Sequence, residues 1–434
     1  MRVRNVLVFP AGTEIGLEIF NALRYCKETR LFGAGQDVSN HGKYVYSQYH
    51  VLPGIHEAGW LTQLIALCEK LSIDYIFPAY DDVIVALSRE QAHIPACVIS
   101  SPQEACEITR SKSATYAHLG NLLRVPQVYL DPNKIPAFPV LVKPDRGQGS
   151  SGILKVDHPE ALNRAIASIP DAIVCEYLPG DEYTVDCFSD RERGVLFAGA
   201  RERRRTRNGI SVDTVTTDIP EALRLAKIIG GALKLRGAWF FQLKRDRLGE
   251  LALLEVAPRI AGSMAAHRVM GINFPLLSIF EHERLPVQVQ FRPGTVELDR
   301  ALCNRYHHSV NFGVAYIDLD DTLLCRGEVN IQLVKLIFQC INQGRPVKLL
   351  TRHRGDLALT LAKHRLVGLF DQLIHIAASE KKSRYIPEAD AILIDDSFSE
   401  RMEVEATCGI ATFDCSMIEM LTGQAEFLNR SGNG

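Results

Sequence analysis

No run of about 18 apolar residues occurs anywhere in the sequence, which excludes a membrane-spanning helix. An excess of one charge is missing too. Lys and Arg number 49 against 51 Asp and Glu, a formal charge of −2, so no basic face advertises nucleic acid and no acidic tail advertises disorder. The eleven cysteines never fall in CxxC pairs or metal-finger spacing. A chain of 434 residues can bury a core without disulfides, and reduced thiols in the cytoplasm are the expectation. The opening MRVRNVLVFPAGTEIG lacks an unbroken signal-peptide core, because Pro10, Gly12 and Gly16 interrupt it. Internal repeats and low-complexity segments are absent as well. What is present, 47% apolar and 23% charged residues, suits a folded enzyme of two or three domains whose partners are small molecules rather than nucleic acid or membrane.

Along the chain, hydrophobic periodicity predicts alternating strands and helices. Residues 3–9 form a strand, followed by a Gly-containing turn and the helical pattern Ile15, Ile19, Phe20, Leu23. A helix over Trp60–Leu71, a strand over Tyr75–Phe77 and the carboxylates Asp81 and Asp82 follow. An open parallel sheet with a crevice at its strand ends is expected over 1–101. From 102 to 295 the texture is mixed helix, hairpin and Gly-rich loop, an α+β unit. Residues 296–311 are polar and read as a linker. Residues 312–434 resume strand and helix alternation, with strands at Gly313–Ile317, Pro346–Leu350 and Ala391–Ile394, a second and smaller doubly wound domain. The fold class is therefore α/β and α+β, multidomain.

Four segments of the middle block carry chemistry. Lys143 ends an apolar strand just before the loop Gly147, Gly149, Ser150, Ser151, Gly152, where backbone N–H groups, hydroxyls and an ammonium can meet phosphate oxygens; a merely flexible loop has the same composition. The stretch from Ile173 to Asp186 reads as strand, polar-aromatic hinge, strand. The hinge can offer backbone groups to an adenine edge, with Glu182 free for ribose hydroxyls, although Glu176 and Glu182 also suit a solvated surface. The third segment is the hairpin Gly237–Arg259. If Arg247 pairs with Glu250, Gln242 lies opposite Glu255, and directly opposed side chains about 5 Å apart can close two hard oxygens on one Mg2+. Alternation then puts Glu255, Ala257 and Arg259 on one face. A buried polar pair satisfying itself is the plainer account. The basic run Arg201–Arg207 reads as a substrate loop in which Arg201 and Arg203 would hold carboxylates or phosphates, or as a solvated face.

Together these residues resemble the ATP-grasp superfamily, in particular the branch that includes carbamoyl phosphate synthetase and carboxylate-amine ligases, over about residues 1–295. The resemblance implies a pre-ATP-grasp domain followed by the ATP-grasp domain. Lys112 and Lys143 would contact ATP phosphates beneath the 147–152 loop. Glu176, Tyr177 and Leu178 would form the adenine hinge, Glu182 would hold ribose, and Gln242 with Glu255 would hold Mg2+, with Mn2+ as an alternative ion. Arg259 would steady an acyl phosphate. One departure stands out: where the family has an asparagine two residues after its glutamate, this chain has Ala257.

In the last block, a buried strand ends on Asp318, Asp320 and Asp321. Acids two apart share a face and repel unless a cation or proton lies between them, an arrangement suited to a carboxylate nucleophile with a neighbouring proton shuttle. Thr351 closes another apolar strand, Lys381 or Lys382 opens a helix-like stretch, and Asp395 and Asp396 end a third strand. This order is similar to that of the haloacid dehalogenase phosphatases. The resemblance makes Asp318 the nucleophile and Asp320 the acid/base, Thr351 and Lys381 the phosphate anchors, and Asp395, with Asp318 and Asp320, the Mg2+ ligands supported by Asp396. The short intervals between these motifs leave no room for a large cap, so the site should be open. The expected whole is a ligase joining a small-molecule carboxylate to an amine through an acyl phosphate, fused to a Mg2+-dependent hydrolase for a phosphorylated small molecule. The alternatives are a nucleotide-binding module regulating a phosphatase and a phosphotransferase. The sequence leaves a homodimer open.

Overall fold

The computed structural model describes residues 2–147, 152–306 and 308–422. The chain forms two compact units, Met1–Leu302 and Cys303–Gly434.

The first unit opens with β1 (Arg4–Phe9), β2 (Thr29–Gly35), β3 (Tyr49–Val51), β4 (Tyr75–Pro78) and β5 (Cys97–Val98), a parallel sheet in the order β3-β2-β1-β4-β5. Val6, Leu7 and Val8 are wholly buried, as expected of a parallel strand covered on both faces. The helix Glu14–Leu23 starts where the Thr13 hydroxyl accepts the Gly16 N–H at 3.0 Å, an N-cap. The helix Trp60–Leu71 has the bounds its periodicity predicts. Asp81 and Asp82, expected at a strand end, form the first turn of the helix Asp81–Arg89, immediately after β4.

Next come β6 (Val140–Pro144), β7 (Leu154–Val156) and β8 (Ala172–Glu176), a small antiparallel sheet in the order β7-β6-β8. The largest sheet holds β9 (Glu182–Asp190), β10 (Gly194–Arg207), β11 (Ile210–Thr217), β12 (Gly237–Arg245), β13 (Leu251–Ala257) and β14 (Glu297–Asp299), in the order β13-β12-β9-β10-β11-β14.

Three expectations change here. The basic run is not a loop but the second half of the 14-residue β10: Arg201 and Glu202 pair with both β9 and β11, and the rest of the run pairs irregularly with β11. Residues 297–299, assigned to a linker, pair with Val215, Thr214 and Asp213 of β11. No division falls at 101/102, because Val6, Val8 and Ile19 share one apolar core with Phe240, Phe274 and Ile279.

The second unit holds β15 (Val314–Ile317), the short antiparallel pair β16 (Leu324–Cys325) and β17 (Glu328–Val329), then β18 (Val347–Thr351), β19 (Gln372–His375), β20 (Ala391–Ile394) and β21 (Ala411–Phe413). The parallel sheet runs β19-β18-β15-β20-β21. Its core joins Ile317, Val347, Leu349, Ile392 and Ile394 to Leu333, Leu336 and Ile337 of the helix Ile331–Asn342. The strand order turns back at β15, and the crevice beyond the carboxyl ends of its strands is where such sheets hold ligands.

Candidate functional sites

The first site follows from the hairpin of β12 and β13. Gln242 does stand opposite Glu255, but by another route than a regular ladder. Near the turn the register is Arg245↔Leu251 and Leu243↔Leu253, one residue away from a ladder that would pair Arg247 with Glu250. A bulge at Leu254 restores the Gln242↔Glu255 pair. A bulge sets two residues against one and re-aims side chains, so Leu254 lines the same cavity as Glu255 although it belongs to an apolar run. The bulged carbonyl is held: the Tyr116 hydroxyl donates to Leu254 O at 2.7 Å, and Lys143 Nζ donates to that hydroxyl at 3.0 Å.

The cavity holds about 420 Å³. Lys112, Lys143, Gly147, Tyr177 and Leu178 line it together with Glu176, Glu182, Gln242 and Glu255. Gly149, Ser150 and Ser151 lie outside the described residues. Lys112 reaches Gly147 O at 3.1 Å, and burial lowers its pKa. Burial works against the charge on Lys143, but Tyr116, Cys175 and Glu255 outweigh it and raise the pKa. Glu176 departs from a free hinge acid, because Arg124 Nη2 grips both carboxylate oxygens at 2.6 and 2.7 Å. Glu182 forms an ion pair with Arg203, whose Nε lies 2.9 Å away, and accepts Lys244 Nζ at 3.4 Å. Burial raises the Glu255 pKa, with Asp81 adding to it, while Lys112, Arg203 and Arg259 oppose. An acid so placed, across from an amide oxygen, has the hard-donor chemistry that suits Mg2+. Ala257 is 6% exposed in the apolar core and offers no ligand.

Arg259 is engaged in a way the sequence did not reveal: its Nε pairs with Asp81, and its Nη2 donates to the other Asp81 oxygen at 2.9 Å. The strand-end carboxylates were visible in the sequence, but not their partner 178 residues away. A second cavity, of about 330 Å³, shares Arg203, Gln242, Glu255 and Arg259 with this neighbourhood and extends to Thr13, Arg201 and Arg300. Arg201 is no exposed loop residue. It is 1% exposed and donates to Asp186 from Nε at 2.9 Å and Nη2 at 3.1 Å, while His267 Nδ1 lies 2.8 Å from the same carboxylate.

The second unit gathers Asp318, Asp320, Thr351, Asp395 and Asp396 at the carboxyl ends of β15, β18 and β20, around a cavity of about 400 Å³. The lysine there is Lys382, not Lys381. Lys382 Nζ is buried and lies 2.6 Å from both Asp318 Oδ1 and Asp395 Oδ2, whereas the Lys381 side chain is 64% exposed with Glu403 at 3.6 Å. Lys381 stands just before the turn Lys382–Tyr385, and only the second lysine is directed inward. Carboxylate oxygens of Asp318, Asp395 and Asp396 lie within 4.8 Å of one another. Asp396 thus joins the group in place of Asp320, whose side chain is half exposed and bonded to His353 Nδ1 at 2.9 Å. Three oxygen donors at that spacing suit a divalent cation. Burial pushes the Asp318 carboxyl up to about 6, with Lys382 opposing and Asp395 reinforcing. Thr351 is fully buried and its hydroxyl accepts the His353 N–H at 3.2 Å. His353 was not foreseen, since a single histidine after a strand carries no signal of its own.

Residues 168–300 match a family model described as "ATP-grasp in the biosynthetic pathway with Ter operon". Among curated proteins, none matches the sequence. Solved structures do. Biotin carboxylase from Campylobacter jejuni in its β-γ-ATP complex is similar at TM-score 0.56 and 17% identity, covering 68% of this chain and 74% of that one. The L-amino acid ligase from Bacillus licheniformis aligns at TM-score 0.53 and 17% identity over 66% and 76%. N5-carboxyaminoimidazole synthetase from Staphylococcus aureus, complexed with ADP, aligns at 0.55 and 13% over 67% and 81%. At such identities the likeness is one of fold. The chain carries an ATP-grasp fold, and no helix among the described residues is long and apolar enough to cross a membrane.

Proposed function

We propose that the first unit is an ADP-forming carboxylate-amine ligase and the second a Mg2+-dependent phosphatase of the haloacid dehalogenase type, serving one pathway. The observation that carries the ligase reading is the Gln242↔Glu255 pair, shared by two cavities. One cavity has two lysines, Gly147 and apolar side chains such as Leu141, Leu178 and Leu254, a lining suited to ATP; the other has the arginines suited to an acid. In this reading Lys112 and Lys143 bind phosphate oxygens, and Glu255 with Gln242 would hold Mg2+, which neutralises phosphate charge when bound. Arg259, kept in place by Asp81, offers its positive charge to the acid as it becomes an acyl phosphate. The acid's oxygen attacks the γ-phosphorus, ADP leaves, and an amine then displaces phosphate from the acyl carbon.

In the second unit, Asp318 would attack phosphorus while Asp320 gives a proton to the leaving alcohol oxygen. Water then attacks the phosphorus of the aspartyl phosphate, with Asp320 as base, and frees phosphate and the Asp318 carboxylate. The triad Asp318, Asp395, Asp396 would hold Mg2+, and Thr351 and Lys382 the transferred phosphoryl group. One observation favours a second reading, a nucleotide-sensing module that does not ligate: Ala257 stands where a further ligand is expected. Hydroxylamine decides between them. With ATP, Mg2+ and a pool of carboxylic acids, an acyl phosphate yields a hydroxamate in step with ADP; ATP bound without hydroxamate or ADP would favour the sensor.

A further inference from the structure

The residues at the far end of the second cavity are not explained by ATP or by the reacting carboxylate. Register fixes their place. Glu255 pairs with Gln242, Gln242 with Thr184, Thr184 with Arg201, and Arg201 with Thr216. These five residues form one cross-strand row over five strands, on one face of the sheet. Three strand spacings, roughly 14 Å of backbone, separate Glu255 from Arg201. The far locus is therefore distinct from the reacting one.

That far end holds donors without acceptors. Arg201 is 1% exposed, spends Nε and Nη2 on Asp186, and has no partner for Nη1 among the described residues. Its neighbour in the row, Thr184, is wholly buried and its hydroxyl is also unpartnered. Arg300, just past β14, lines the same cavity, and no ion pair of its guanidinium is found among the described residues, even with nearby Glu14. Burial and the positive charge of Arg201 lower its pKa, a setting that an anion would relieve. The room is shaped by Gly262, where a Cβ would come within 2.9 Å of Glu14 Cγ and 3.1 Å of Arg300 Nη2. Thr13, Glu14 and Ile15, the N-cap and first residues of the ten-residue helix Glu14–Leu23, also line the cavity, and a helix N-terminus favours negative charge. Buried donors left unpaired are costly, and an acceptor-rich ligand removes that cost.

Resting on the ligase reading, we propose that the acid substrate carries a second anionic group, a carboxylate or a phosphate, bound by Arg300 and the free Nη1 of Arg201 while its reacting carboxylate lies by Arg259 and Glu255. Arg300 then acts as a specificity residue for a reaction it does not touch.

The test is ADP release by the full chain with ATP, Mg2+, hydroxylamine and four acids: butyrate, succinate, glutarate and 3-phosphoglycerate. The expected result is a kcat/KM at least about tenfold higher for acids with a second anionic group. That preference should collapse in Arg300→Ala, return in part in Arg300→Lys, and leave KM for ATP within about twofold. The dicarboxylates and the phosphorylated acid separate the two sources of the anion. Equal use of butyrate and the dianionic acids, or a loss in Arg300→Ala that falls on all four alike, overturns the proposal and leaves the ligase standing. ADP release that no acid stimulates sinks the ligase reading, and this inference with it.

Discussion

At the scale of single residues, the second site turns on which of two adjacent lysines faces inward. Lys382 balances two buried carboxylates at 2.6 Å, and the exposed Lys381 lies 3.6 Å from Glu403. Exposed ion pairs contribute about 0–1 kcal/mol, whereas a buried charge stripped of its partner is strongly unfavourable. Lys382→Ala should therefore lower kcat/KM for p-nitrophenyl phosphate at least about a hundredfold. Lys381→Ala should stay within about twofold. Steady-state hydrolysis by the two variants checks this, and the reverse ranking would return the role to Lys381. The sequence could not choose between them, because adjacent residues at the start of a turn have no periodicity to separate inside from outside.

Elements add constraints that residue patterns leave out. Tyr116, in the helix Lys112–Leu119, ties Lys143 to the bulge that presents Leu254 and Glu255. Tyr116→Phe leaves a buried ammonium and a carbonyl short of a partner, a loss of about 1–3 kcal/mol. A lower melting temperature and a KM for ATP raised about tenfold are expected; an unchanged KM would show that the bulge holds without its anchor. On the helix Phe274–His282, Glu281 receives Arg236 at 2.9 Å and Arg191 at 3.1 Å. Burial alone would raise its pKa, but His282 and Arg236 pull it down to about 2. Because the folded value lies below the unfolded one, the stability it adds is full above about pH 4.5 and is lost as pH falls toward 2. Glu281→Gln should cost on the order of 3 kcal/mol at pH 7. In urea unfolding the gap to wild type should narrow by more than half by pH 3, and a gap that does not depend on pH would contradict the assignment.

That the hairpin sets Gln242 opposite Glu255 was legible, although the turn register from which it was predicted is one residue off the observed one. The bulge that achieves it was not, since an extra residue in an apolar run changes no pattern. The helix Trp60–Leu71 and β20 were legible from periodicity alone. The basic run was misread for a physical reason: arginines alternating along a strand look like a solvated loop until buried Asp186 and half-buried Glu182 supply their counter-charges. β14 was missed because three residues at a sheet edge carry too little pattern.

For the whole molecule, each unit has its own core, its own cavity and its own set of acids and cations. On this reading one chain carries two chemistries, separable by single substitutions, one in each unit. Covalent linkage raises the effective concentration of one activity near the other, which suits consecutive steps on related molecules. The most direct measurement is ADP release by the full chain with ATP, Mg2+ and pooled acids and amines, run beside p-nitrophenyl phosphate hydrolysis, for wild type, Glu255→Gln and Asp318→Asn. Glu255→Gln should lose ADP release by about a hundredfold or more while keeping the hydrolysis, and Asp318→Asn should do the reverse. Acid-dependent ADP release that survives Glu255→Gln, or no such release from the wild type, would contradict it.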